Sequence, residues 1–187
     1  MVEEIEAKKQ RLDTLRPFSK GTLQALERWY AVELAYTSNA LEGNTLTRQE
    51  TALVLEKGLT VRGKPLKDHL EAIDHADAWN YVRALADAAE PIREADVRQI
   101  HALVLGRSDR QEAGRYAQHQ RLIAGAQVVL PIPTDIPILM DEFGRWLAAA
   151  PANPSTAFEA HARLAAIHPF ADGNGRTARL LMNLVLL

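Results

Sequence analysis

Residues 168–179 read HPFADGNGRTAR, and this stretch decides how the rest of the 187-residue chain is read. His168 falls at the end of a helical segment that Pro169 does not allow to continue. Gly173-Asn174-Gly175 predicts a tight turn from which a new helix starts, with Asn174 as its N-cap. The flanking glycines let a ligand approach bare backbone N–H groups. Unpaired amides at the positive end of a helix dipole make an anion site. Arg176 and Arg179 lie three apart in the first turn and are expected on one side of the helix. Their guanidinium groups suit bidentate capture of phosphate oxygens. Asp172 adds a hard oxygen ligand of the kind that Mg²⁺ shared with a phosphate requires. His168 adds a side chain that accepts a proton near neutral pH. Taken singly, these are a helix–turn–helix junction, a capping histidine and solvated arginines. Together, within twelve residues, they outline a phosphoryl- or nucleotidyl-transfer site.

Outward from this stretch, most of the chain reads as helix. A charge-rich helix from Val2 to about Leu15 carries Ile5, Leu12 and Leu15 as a thin apolar stripe and stops at Pro17. A second, about Thr22 to Leu41, has Leu23, Leu26, Tyr30 and Leu34 at helical spacing and ends at Gly43-Asn44. Thr47 and Glu50 form a capping box for a short helix that closes at Gly58. After the turn VRGKP, a long helix to about Ala89 is expected to bury Leu66, Leu70, Ile73, Trp79, Val82 and Leu85. Further helices follow at about 94–105, 137–149 and 154–167, and the last starts near Gly175. Residues 120–130, QRLIAGAQVVL, instead predict two short strands joined at Gly125, after which Pro131 and Pro133 end any ladder. An isolated hairpin is marginal, so it rests on the helices or awaits a partner strand. Trp29, Trp79 and Trp146 read as core anchors. The closing LLMNLVLL has no cap and no polar finish, which predicts that the natural chain continues past Leu187.

Composition removes several classes of function. Hydrophobic residues are 47% and charged residues 25%, the balance of a globular chain with enough apolar material to order itself. With 22 Lys and Arg against 24 Asp and Glu, the formal charge is −2, so no nucleic-acid partner is expected. Cysteine is absent, which excludes disulfides, thiolate metal sites and cysteine nucleophiles. No apolar run approaches the about 20 residues of a membrane span and the N-terminus lacks a signal peptide, so a cytoplasmic location without membrane contact is expected. There is no P-loop, no G-x-S-x-G and no H-E-x-x-H. Glu71 and His75 share a helix face, but not at the spacing of diiron bundles.

The stretch HPFADGNGRTAR resembles the signature of the Fic family, H-P-F-x-[DE]-G-N-G-R-x-x-R, without departure, and the resemblance extends over roughly residues 30 to 187. The resemblance implies an all-α fold, a helical bundle with a single β-hairpin flap. It implies a protein adenylyltransferase, moving AMP from ATP to a hydroxyl side chain of a target protein. His168 is then the general base, Asp172 the Mg²⁺ ligand, and Gly173, Asn174 and Gly175 the anion hole, with Arg176 and Arg179 on the nucleotide phosphates. The hairpin, with Leu122, Ile123, Ala124 and Gly125, looks like the flap that docks a target backbone by strand addition. Where the family often has Gly-x-Tyr-Arg before the flap, this chain has Gly114-Arg115-Tyr116-Ala117.

The segment Ser38–Asn44, SNALEGN, is similar to the family's inhibitory motif [ST]-x-x-x-E-[GN], with Ser38 and Glu42 at the right spacing. Read without the resemblance, it is a helix end, where a carboxylate is slightly unfavourable beside the negative end of the dipole and so wants a partner. With it, the expectation is competition by Glu42 for Arg179, the residue that holds the γ-phosphate. One domain is expected over 1–187, with N-terminal helices including the inhibitory one in 1–60 and the Fic core in 61–187. The alternatives are a related activity (another nucleotide donor, phosphotransfer or removal of AMP) and a nucleotide-binding interaction or toxin-like module.

Overall fold

The computed structural model describes residues 2–121 and 129–187. Eight helices occur among them: α1 (Val2–Asp13), α2 (Lys20–Ala40), α3 (Arg48–Lys57), α4 (Leu66–Ala88), α5 (Glu94–Val104), α6 (Ile136–Ala149), α7 (Pro154–Ile167) and α8 (Asn174–Leu186). Their ends obey local chemistry. Ser19 caps α2 by accepting from the Thr22 N–H, Asn153 caps α7 through Thr156, and Pro154 occupies the first turn of α7. The capping box of Thr47 and Glu50 opens α3, and Gly58 closes it in the left-handed conformation.

α8 is the axis of the bundle. It packs on α7, α4, α5 and the end of α2, and buries Ala178, Leu180, Leu181, Leu184 and Val185. The apolar run that closes the sequence is therefore a core helix. Around it, Ala78, Trp79 and Val82 of α4, Val97, Ile100 and Val104 of α5, Met140, Phe143 and Leu147 of α6 and Ala157, Ala160 and Leu164 of α7 complete one core. Leu46, Val54 and Ala72 make a second, smaller one between α3 and α4. No helix among the described residues is long and apolar enough to cross a membrane.

Three expectations fail in detail. Residues 21–30 of α2 are all exposed, Leu23, Leu26 and Tyr30 included. Trp29 is 48% exposed and anchors no core. Burial is confined to the second half of α2, at Val32, Ala35, Ser38 and Asn39, while the first half meets α4 through the exposed Glu27–Arg83 pair at 2.7 Å. α4 does not bury Leu66, which is 68% exposed. Its buried face instead begins with Asp68, His69, Glu71, Asp74 and His75, because these residues meet polar loops and the N-terminus of α8 rather than another apolar face. The expected hairpin falls largely on residues 122–128, outside the described part. Gln120, Arg121, Val129 and Leu130 are in no strand, although the Gln120 side chain donates to the Leu130 carbonyl at 3.0 Å. The one bridge among the described residues joins Tyr116 to Phe170.

Candidate active site

The site is built on the loop between α7 and α8. His168 ends α7 in the left-handed region, at φ 51° and ψ 53°, with its N–H on the Leu164 carbonyl at 2.9 Å. A non-glycine residue there is strained and has to be held by its surroundings. Burial and the nearby Arg121 charge hold the imidazole below its ordinary pKa, against opposing pulls from the Ala165 backbone and Glu42, so it is neutral and able to accept a proton at pH 7. Pro169 then passes its carbonyl to the Ala117 N–H at 2.8 Å.

Phe170 is fully buried and stacks on His101, ring centroids 3.6 Å apart and planes 4° from parallel. His101 is itself buried, and burial pushes it down to about 4. Its Nδ1 accepts the Gly114 N–H at 3.0 Å, so the proton of the neutral ring sits on Nε2, which donates to the Asp172 carbonyl at 3.0 Å. The Asn174 side chain accepts the Phe170 N–H and donates to the Phe170 carbonyl, both at 2.9 Å. Asn174 is thus the first residue of α8 and a clamp on the HPF segment; the N-cap is Gly173, at φ 75°. Sequence spacing placed the cap one residue late because Asn is the better capping side chain, whereas the turn demands the left-handed residue.

Gly173 brings no acceptor side chain, so the first-turn amides of α8 receive no capping hydrogen bond. Asp172 stands beside them, its Oδ1 on the Gly173 N–H at 2.6 Å and its Oδ2 at 3.3 Å from Arg176. Burial would raise its pKa, but the Arg176 charge and the Gly173 N–H outweigh this and hold the carboxyl below its ordinary range. It is ionised at neutral pH and its side chain is 49% exposed.

Arg176 and Arg179 do not share a side. Arg176 is buried between Glu71 and Asp172, 3.3 Å from each, and its Nε and Nη1 have no hydrogen-bond partner. Arg179 turns to the end of α2. Its Nε donates to Ser38 Oγ at 2.8 Å, and its Nη2 donates to the Ser38 carbonyl at 3.0 Å and to Glu42 Oε1 at 2.6 Å. Glu42 lies in the turn that follows α2, with its N–H on the Asn39 carbonyl at 3.0 Å and Gly43 at φ 91°. Its carboxylate rests so closely on Gly175 that a Cβ there would overlap it. A negative group therefore occupies the N-terminus of α8, where the dipole favours one.

The unpartnered Nε of Arg176 and the uncapped amides fit an anion with several oxygens. Among the described residues no cluster of three or more His, Asp or Glu side chains is arranged to hold an ion. Asp172 alone fits a Mg²⁺ ion that takes its other ligands from phosphate and water. The flap residues Leu122, Ile123, Ala124 and Gly125 lie outside the described part. Glu71, His101 and Arg121, which donates to the Ala171 carbonyl, are the site residues that sequence reasoning passed over. None carries a local pattern, since each is brought in by the fold.

The Fic/DOC family model matches residues 91–186, just over half of the chain. The chain belongs to the Fic/DOC family. This Fic chain is 36% identical over 192 residues to the "Protein adenylyltransferase Fic" of Nematostella vectensis, a match covering all of this chain and 44% of that protein. It is 34% identical over 190 residues to the protein of the same name in Drosophila melanogaster, of which 38% is covered. The chain thus spans less than half the length of these curated relatives. Among solved structures, Fic-1 from C. elegans superposes with a TM-score of 0.85 at 30% identity, covering 97% of this chain and 55% of that one. A Fic domain containing signaling protein from Bacteroides thetaiotaomicron does so with a TM-score of 0.87 at 32% identity, covering 97% and 71%. The all-α Fic fold read from the sequence is the fold of the chain.

Proposed function

We propose that this chain transfers AMP from ATP to a hydroxyl side chain of a protein, and that Glu42 holds it in an inhibited state. The observation that carries the proposal is the hold on Arg179. Ser38 and Glu42 engage its Nε and one terminal nitrogen, beside an otherwise complete loop of base, carboxylate, free amides and a second arginine. The names of the relatives support the reaction type.

In the reaction, the target oxygen attacks the α-phosphorus of ATP in line with the bond to the β-phosphate. The new O–P bond forms as that bond breaks, pyrophosphate leaves, and the hydroxyl proton passes to neutral His168. His101, Phe170 and Asn174 keep the loop rigid, so the base and the amides hold fixed positions. Asn174 and Gly175 present their N–H groups to phosphate oxygens, with Arg176 behind them, whereas Gly173, expected to share this role, makes the turn and gives its N–H to Asp172. Arg179, once released, holds the γ-phosphate so that the α-phosphate is aligned for attack. Mg²⁺, which Asp172 would ligate, neutralises phosphate charge when bound. The Glu42–Arg179 pair keeps this arginine occupied and puts like charge where the γ-phosphate belongs, so ATP binds in a pose unsuited to transfer. Residues 1–60 act as a built-in inhibitory unit on a core formed by 61–187, the two belonging to one domain.

Incubation of the Glu42→Gly chain, the background for every variant here, with ATP labelled at either the α- or the γ-phosphate, with Mg²⁺, tests the reaction. Label on protein from the α position alone is expected, and it is expected to disappear in His168→Ala. Label from the γ position alone means phosphotransfer, and equal labelling by His168→Ala removes the histidine from its role.

A further inference from the structure

The Arg176 guanidinium sits between two carboxylates that are not alike. Its side chain is 1% exposed, and a buried arginine needs a standing counterion. Glu71, on α4, is 3.3 Å away through Oε1 and is itself only 8% exposed. Its Oε2 accepts the Asn44 side chain at 2.9 Å, and the same Asn44 nitrogen donates to the Asp68 carbonyl at 3.0 Å. Lys67 lies 3.6 Å from Oε1 but is 61% exposed, so water screens it. Asp172 is equally near Arg176 but half open to solvent. A carboxylate that must also serve a divalent cation cannot give its whole charge to an arginine. Asn44 lies two residues beyond Glu42, so the turn that brings Glu42 to Arg179 also fixes the partner of Arg176.

We infer that Glu71 is a positioning residue: it supplies the permanent counterion of Arg176 and so lets the half-exposed Asp172 carboxylate turn from Arg176 to the divalent cation that accompanies ATP. The inference rests on the reading of Asp172 as that cation's ligand. Its content is a division of labour. One carboxylate is withdrawn from solvent and fixed by Asn44, and the other is kept available. Without the charge on Glu71, Arg176 has Asp172 as its nearest anion and draws it away from the cation.

The test is calorimetric titration of ATP with and without Mg²⁺, reading the ratio of the two dissociation constants rather than turnover. All variants carry Glu42→Gly, so that the inhibitory carboxylate does not compete. In Glu71→Gln the Mg²⁺-dependent gain in affinity is expected to shrink by about tenfold, the cost typical of removing a group that supports a metal ligand. Asp172→Ala is expected to lose the gain altogether. The double variant Glu71→Gln with Arg176→Gln, which leaves no unpaired buried charge, is expected to bind ATP more weakly yet recover the gain of the Glu42→Gly parent. A folded Glu71→Gln that keeps the full gain overturns the inference while leaving the role of Asp172 intact. If Glu71→Gln does not fold, the double variant decides alone, and loss of the gain there overturns the inference. A parent with no Mg²⁺-dependent gain overturns both this inference and the assignment of Asp172, whereas AMP transfer itself is read separately by the α-label.

Discussion

Gly173 is where the backbone must turn left-handed for the loop to reach α8. At φ +75° an L side chain is strained, and a Cβ there would lie 3.3 Å from His101 Cδ2 and Nε2. His101 is pinned between Phe170, Gly114 and the Asp172 carbonyl, so it has no room to yield. Gly173→Ala is therefore expected to lower stability by about 1–3 kcal/mol and to weaken ATP binding. Urea denaturation and calorimetry check both, and an unchanged midpoint contradicts the account. At this scale the loop was legible because its chemistry is local: base, carboxylate, glycines and arginines are contiguous in 168–179. Glu42 opposite Arg179 was expected, but the partners of the other groups escaped. Nothing in the spacing of Glu71 points to Arg176, and nothing in His101 points to Asp172. Those pairings exist only once α4 and α5 lie against α8.

Among the elements, α4 departs most from its sequence pattern. Its C-terminal half feeds the core with Ala78, Trp79 and Val82, as the apolar spacing implied. Its N-terminal half buries charge, and helical periodicity of apolar residues carries no signal for a buried polar face. Asp74 shows what that charge does. It is fully buried and accepts the backbone N–H groups of Arg107 at 2.9 Å and Ser108 at 2.9 Å, together with the Arg107 side chain at 3.0 Å. It thereby ties the loop after α5, which leads towards Gly114 and Tyr116, to the same helix that carries Glu71. In Asp74→Ala the Arg107 side chain keeps Asp77, 2.7 Å away, but two backbone donors lose their acceptor. A loss of about 1–3 kcal/mol is expected, seen as a lower denaturation midpoint with an unchanged slope; full stability would show that the loop is held elsewhere. α2 misled for the opposite reason. Its apolar residues at 23–30 are real, but that half of the helix stays exposed, and the residues that meet Arg179, Ser38 and Glu42, sit at its far end.

Across the whole molecule, the end of α2 meets the start of α8 at Arg179, which bonds to residues 137 and 141 positions away. The fold also holds two buried histidines neutral. Burial, with the charges of Arg176 and Arg179, pushes His75 down to about 3, and burial pushes His101 to about 4. The unfolded chain binds protons at these residues near pH 6.5, the folded chain far lower. Stability is therefore full above pH 6.5 and falls as acid favours the unfolded state, by about 1.4 kcal/mol per pH unit for each histidine. Denaturation midpoints between pH 7 and 5 are expected to drop accordingly, and a flat profile contradicts the burial of neutral imidazoles. The central claim is that Glu42 restrains AMP transfer by occupying Arg179. The most direct measurement is self-modification by the Glu42→Gly chain with α-labelled ATP and Mg²⁺. A rise of about 10²-fold over the parent is expected, the scale on which a small misplacement of a reacting group acts. Adding Arg179→Ala is expected to abolish that rise. An unchanged rate in a folded, ATP-bound Glu42→Gly protein, or a rise that survives Arg179→Ala, contradicts the claim.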